Sequence, residues 1–113
     1  MPTRIGFKEY RHRALERELE RFKEMFPQLG VEKAIVIGDL STGKIKADSS
    51  LDLVIIQNIP GKFVRRMDFF TSHRAPELAT NFAVYTPEEF DTLMDSNSSF
   101  KTLITNGIQI YGT

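Results

Sequence analysis

The chain is 113 residues long and 41% apolar, and its 15 basic side chains balance 15 acidic ones for a formal net charge of zero. That length suits one domain around one core, and the balanced charge argues against a nucleic-acid partner, because binding along a phosphate backbone draws on a basic excess. With no cysteine in the sequence, disulfides, thiolate metal sites and cysteine nucleophiles are excluded.

In chain order, the opening residues Met1 to Glu9 mix polar and apolar types and lack the apolar region of a signal peptide. An amphipathic helix is predicted over about 7–29. Leu15, Leu19, Phe22, Phe26 and Leu29 recur at steps of four and three and share one face. Arg13, Glu16, Arg17, Glu20, Lys23 and Glu24 fill the other, with Arg17 and Glu20 spaced to offset each other's charge. Pro27 and Gly30 end the helix, and its apolar face suits packing on the chain's own core.

Ala34-Ile35-Val36-Ile37 is a short apolar run stopped by Gly38, and reads as a buried strand. After a polar stretch from Asp39 to Ser50, Leu51 to Ile56 forms a second strand, apolar except for Asp52. Pro60 opens a second helix with Phe63, Val64, Met67 and Phe70 on its inner face, followed by a loop around Pro76. Phe82 to Tyr85 is a third strand. Thr86, Pro87 and Glu89 then spell a capping box with proline in the first helical position, and Tyr85 and Phe90 suit a hydrophobic staple. Phe90, Leu93 and Met94 form that helix's inner face. Asp95 to Ser99 is a polar break. Phe100, Leu103 and Ile104 indicate a last short helix ended by Asn106-Gly107, and Ile108 to Tyr111 alternates as a final strand. No apolar run approaches the roughly 18 residues that span a bilayer, so a soluble, cytoplasmic protein with no membrane partner is expected.

The stretch Gly38-Asp39-Leu40-Ser41-Thr42-Gly43-Lys44-Ile45-Lys46-Ala47-Asp48-Ser49-Ser50-Leu51-Asp52-Leu53 resembles the signature of the minimal nucleotidyltransferases of the DNA polymerase beta superfamily. That signature is Gly-Ser, a short loop with a second Gly, then Ser-Asp-x-Asp-Leu entering a strand. Gly38, Gly43 and Asp52 fall in step with it without a gap. Asn81 to Phe90 is similar to the family's third carboxylate strand and its Thr-Pro-Glu-Glu-Phe helix start. Phe100 to Tyr111 is similar to its closing helix, Gly turn and short strand. The resemblance spans residues 31–111 and implies an α+β nucleotidyltransferase-type domain over residues 1–113, with a mixed sheet and helices packed on one side.

In that family an attacking hydroxyl meets the α-phosphate of a nucleoside triphosphate. Two divalent ions about 4 Å apart stabilise the attacking and leaving oxygens, and magnesium takes oxygen ligands, normally carboxylates with phosphate and water. Two aspartates at i and i+2 on a strand point the same way, and a third on the neighbouring strand completes the clamp. This sequence departs at three positions: Ser50 stands for the first Asp, Asn81 for the third, and Asp39 for the phosphate-binding Ser. The resemblance therefore implies Asp52 as the catalytic and principal metal-ligating residue, with Ser50 and Asn81 beside it and Asp39 or Asp48 as substitute carboxylates. Gly38, Asp39, Ser41 and Gly43 correspond to the nucleotide loop, and Mg2+ is the implied cofactor of an active form. With two of the three carboxylates absent, the expectation is a weak or inactive nucleotidyltransferase. The alternative is a non-catalytic nucleotide-binding or protein-interaction module. Family members often act beside a helical partner in toxin–antitoxin modules, so the partners implied are a nucleoside triphosphate, a helical protein or a second copy in a homodimer.

Overall fold

The computed structural model describes residues 7–58 and 78–112. Its elements are α1 (Phe7–Met25), β1 (Val31–Ile37), α2 (Asp39–Thr42), β2 (Leu51–Gln57), β3 (Thr80–Tyr85), α3 (Pro87–Ser96), α4 (Ser98–Thr105) and β4 (Ile108–Tyr111). The helix expected at Phe63, Val64, Met67 and Phe70, and the loop at Pro76, lie outside the described residues.

The apolar stripe of α1 is buried as its spacing requires, with Leu15, Phe22 and Phe26 wholly enclosed. The helix stops at Met25 rather than near residue 29, because Pro27 has no amide hydrogen to continue the ladder. The chain turns instead: the Leu29 amide reaches the Met25 carbonyl at 3.1 Å and the Val31 amide the Phe26 carbonyl at 3.1 Å, leading directly into β1. Leu29 still packs against the core. On the outer face Glu20 lies with Lys23 at 3.5 Å, in place of the expected pairing with Arg17.

The sheet has the order β3-β2-β1-β4. β1 runs antiparallel to β2 and β4, whereas β2 and β3 are parallel, so the sheet is mixed and the class α+β, as expected. The helices cover both faces, not one. Ala34, Val36, Leu53, Ile55, Phe82 and Val84 meet α1, while Ile35, Val54 and Ile56 meet Tyr85, Phe90 of α3 and Ile104 of α4. The physical reason lies in β2: both of its alternating sets are apolar, so each side of this inner strand needs cover.

Aromatic edges tie the layers together. Phe22 of α1 meets Phe82 of β3 edge-on with ring centres 5.1 Å apart. Phe90 and Tyr85 both meet Phe100 in the same manner. The Thr86 hydroxyl accepts from the Glu89 amide, and the Glu89 carboxylate accepts from the Thr86 amide, completing the capping box. The expected break from Asp95 to Ser99 shrinks to Asn97 alone, which ends α3 and caps α4 by accepting from the Phe100 amide at 2.9 Å. Among the described residues no helix is long and apolar enough to cross a membrane.

Candidate functional site

Asp52 is the second residue of β2, and Asn81 is the second residue of β3 and its direct register partner. In a parallel pair such neighbours project to the same side. Antiparallel pairing of Asp52 with Ile37 brings the end of β1, and so Gly38, against the same carboxylate. Gly38 sits at φ 75° and ψ −150°, a conformation that favours glycine. A Cβ there would also fall 2.6 Å from Asp52 Oδ2. Backbone conformation and close approach therefore both demand glycine at this corner.

The Asp52 carboxylate is held by two neutral donors. Ser50 Oγ donates to Asp52 Oδ1 at 3.0 Å and Asn81 Nδ2 donates to the same oxygen at 2.7 Å. Asn81 Nδ2 also lies 3.5 Å from Ser50 Oγ. The amide of Asn81 is oriented by this contact, since the reverse orientation would set its carbonyl oxygen against a carboxylate.

The loop leaving Gly38 folds on itself. The Gly38 carbonyl accepts from the amides of Ser41 and Thr42 and from Ser41 Oγ at 2.9 Å, so the Ser41 hydroxyl is used within the turn. Gly43 takes the left-handed conformation that closes α2, its amide donating to the Asp39 carbonyl. Asp39 turns its carboxylate toward the far end of the loop, where Ser49 Oγ donates to Asp39 Oδ2 at 2.7 Å. The same Ser49 oxygen accepts from the Lys46 amide, and the Ser49 carbonyl accepts from Arg11 Nε of α1 at 2.7 Å. Asp48 is exposed in the turn before β2.

The fold thus gathers Gly38, Ser50, Asp52 and Asn81 at one point. It ties Asp39 to Ser49 and leaves Asp48 on the surface. Sequence reasoning missed Ser49 and Arg11, for which no local signal exists, because their pairing joins a helix to a loop distant in the chain. It also missed Glu18, which is buried at 2% exposure. The Glu18 carboxylate accepts from Arg21 Nη1 at 2.8 Å and from the Leu78 amide at 3.1 Å, anchoring the entry to β3. Its place between Leu15 and Phe22 on the apolar stripe was the available clue.

This donor set does not fit a pair of divalent ions. A hard cation such as magnesium is held by several anionic oxygens. Here one carboxylate has Oδ1 taken by two hydrogen-bond donors and Oδ2 against Gly38. Among the described residues no group of three or more His, Cys, Asp or Glu side chains could hold a metal ion. Other clefts lie elsewhere among the described residues. One of about 460 Å³ runs between Glu9 and His12 of α1 and the Lys44–Lys46 segment. Another of about 410 Å³ is lined by Tyr85, Glu88, Glu89, Thr92 and Leu93. Burial, with the Glu89 carboxylate second, raises the Tyr85 phenol above its ordinary pKa of 10.0.

The four-stranded mixed sheet with its helices is a nucleotidyltransferase-like fold. A protein from Sulfolobus solfataricus assigned as a nucleotidyltransferase superposes with a TM-score of 0.61 at 15% identity, covering 99% of this chain and 92% of that one. A toxin–antitoxin complex with AMP-PNP gives a TM-score of 0.54 at 14% identity over 83% of this chain and 73% of the other. A mutant of the toxin–antitoxin pair MntA-HpeT gives 0.52 at 15% identity over 84% and 72%. No protein-family model and no curated protein matches the chain. At these identities the likeness is one of fold.

Proposed function

We propose that this chain is a nucleotidyltransferase-fold protein whose transfer of a nucleoside monophosphate from a nucleoside triphosphate is weak or absent. The observation that carries this reading is the pair of hydrogen bonds from Ser50 and Asn81 to Asp52. Where the family pattern sets three carboxylates to gather divalent ions, these residues supply two neutral donors to one carboxylate, which satisfies it without a cation. Asp39 adds negative charge at the position corresponding to the phosphate-binding serine, and a triphosphate approaching there meets repulsion.

A non-catalytic role is the second reading: a nucleotide-binding or protein-interaction module, such as the partner of a helical protein in a toxin–antitoxin pair. The glycine-cornered loop at Gly38 and Gly43 supports it, as do the toxin–antitoxin complexes among the structural neighbours, one of them bound to AMP-PNP.

The test restores the family pattern. Asp39→Ser, Ser50→Asp and Asn81→Asp are combined, and transfer from labelled ATP with magnesium is measured beside the wild type. The reading expects little or no wild-type transfer and a gain in the triple variant. Full wild-type activity with no gain on restoration would show that Asp39 or Asp48 acts as the missing ligand, contrary to the proposal.

A further inference from the structure

The loop 39–50 joins β1 to β2 beside Asp52, and its closure converges on one residue. Ser49 is 3% exposed. Its hydroxyl donates to Asp39 Oδ2 at 2.7 Å and accepts from the Lys46 amide at 2.8 Å. Its carbonyl accepts from Arg11 Nε at 2.7 Å, across 38 positions of sequence. A single buried serine thus ties the first residue of the loop, its later part and α1 together. Ile45 is buried in the core between the exposed Lys44 and Lys46, so the loop is held from below as well.

The carbonyl that Arg11 holds belongs to the planar peptide joining Ser49 to Ser50. Fixing that plane sets where Ser50 starts, and the Ser50 hydroxyl donates to Asp52 Oδ1 at 3.0 Å. Arg11 is therefore two links from the Asp52 carboxylate. The contacts to Arg11 and Asp39 each include a charged partner, which makes them stronger than neutral hydrogen bonds. Successive bonds through one residue also reinforce each other.

We propose that Arg11, Ser49 and Asp39 form a latch that opens and closes as one unit, keeping the loop shut and setting Ser50 against Asp52. Arg11 and Asp39 are positioning residues that act through Ser49. The latch goes beyond the proposed function and does not depend on whether the Asp52 site takes a nucleotide.

Limited trypsin digestion of the full chain tests it, because Lys44 and Lys46 place two cleavable bonds within the loop. Cleavage of a folded chain tracks the population of the locally open form. Arg11→Ala, Ser49→Ala and Asp39→Ala should each raise cleavage after Lys44 and Lys46 by about ten-fold or more, with no matching rise after Arg17 or Lys23 of α1. Asp39→Asn keeps an acceptor oxygen and should stay nearer the wild type than Asp39→Ala. Arg11→Ala should also shift the Asn81 side-chain amide in the proton–nitrogen NMR spectrum, since that amide donates to Asp52. The double variant Arg11→Ala/Asp39→Ala should open little further than either single one. Wild-type cleavage in the single variants overturns the proposal. So do an unmoved Asn81 signal in Arg11→Ala and effects that multiply fully in the double variant. If Ser49→Ala fails to fold, Arg11→Ala and Asp39→Ala, at half-buried positions, decide alone.

Discussion

At Asp52 two neutral side chains, Ser50 and Asn81, donate to one carboxylate oxygen. Three acids converging on one point require cations to offset their charge, whereas Ser50 and Asn81 each present a hydrogen to the same oxygen. Asn81→Asp replaces the 2.7 Å contact with two opposed carboxylates. Because Asn81 is exposed, the variant without divalent ions is expected to lose stability, by no more than about 1 kcal/mol, recovered in part by manganese, while the wild-type melting temperature stays the same with and without the ion. A wild type stabilised by manganese, or a variant as stable as the wild type without it, would contradict this. Tyr85 makes a second prediction at this scale. Its phenol is raised by burial and then by Glu89, so the folded state holds its proton more tightly than the unfolded state does. Stability from this group is complete below the unfolded value near 10 and declines as pH rises through the folded value. Denaturant melts between neutral pH and pH above about 10 should show a steeper alkaline loss in the wild type than in Tyr85→Phe, and equal slopes would exclude this cause.

Among the elements, α1 places Leu15 and Phe22, both fully buried, in the core, and Phe22 meets Phe82 edge-on. Phe22→Ala is expected to cost roughly 3–5 kcal/mol in chemical denaturation, and a loss below about 1 kcal/mol would show that this face contributes little to the folded chain. The stripe of α1, the capping box at Thr86 and Glu89, and the apolar run of β2 were legible in the sequence because each is written in local spacing. The last turn of α1 was misplaced because Leu29 keeps its contact with the core after the helix has ended at Met25; periodicity alone does not separate the two. That α3 and α4 sit opposite α1 was not expected, although the apolar Val54 and Ile56 need cover on the second face. The contacts of Asp39 with Ser49 and of Ser49 with Arg11 were not legible, since they depend on how the loop 39–50 closes against α1.

For the whole molecule, fold and chemistry are separate questions. The sheet order and its two-sided core depend on apolar residues spread over every strand, and the fold is shared with structural neighbours only 14–15% identical to this chain. Catalysis depends instead on particular side chains, and fold alone does not supply them. Under the proposed reading, the Asp52 carboxylate is satisfied by Ser50 and Asn81 in place of a metal. The most direct measurement is calorimetric titration of ATP into the wild-type chain with and without magnesium, beside Asp52→Ala. The account expects no magnesium-dependent component in the wild-type heats and no difference in that respect from Asp52→Ala. Magnesium-dependent ATP binding by the wild type, lost in Asp52→Ala, would show that this carboxylate still holds a catalytic ion and would contradict the account.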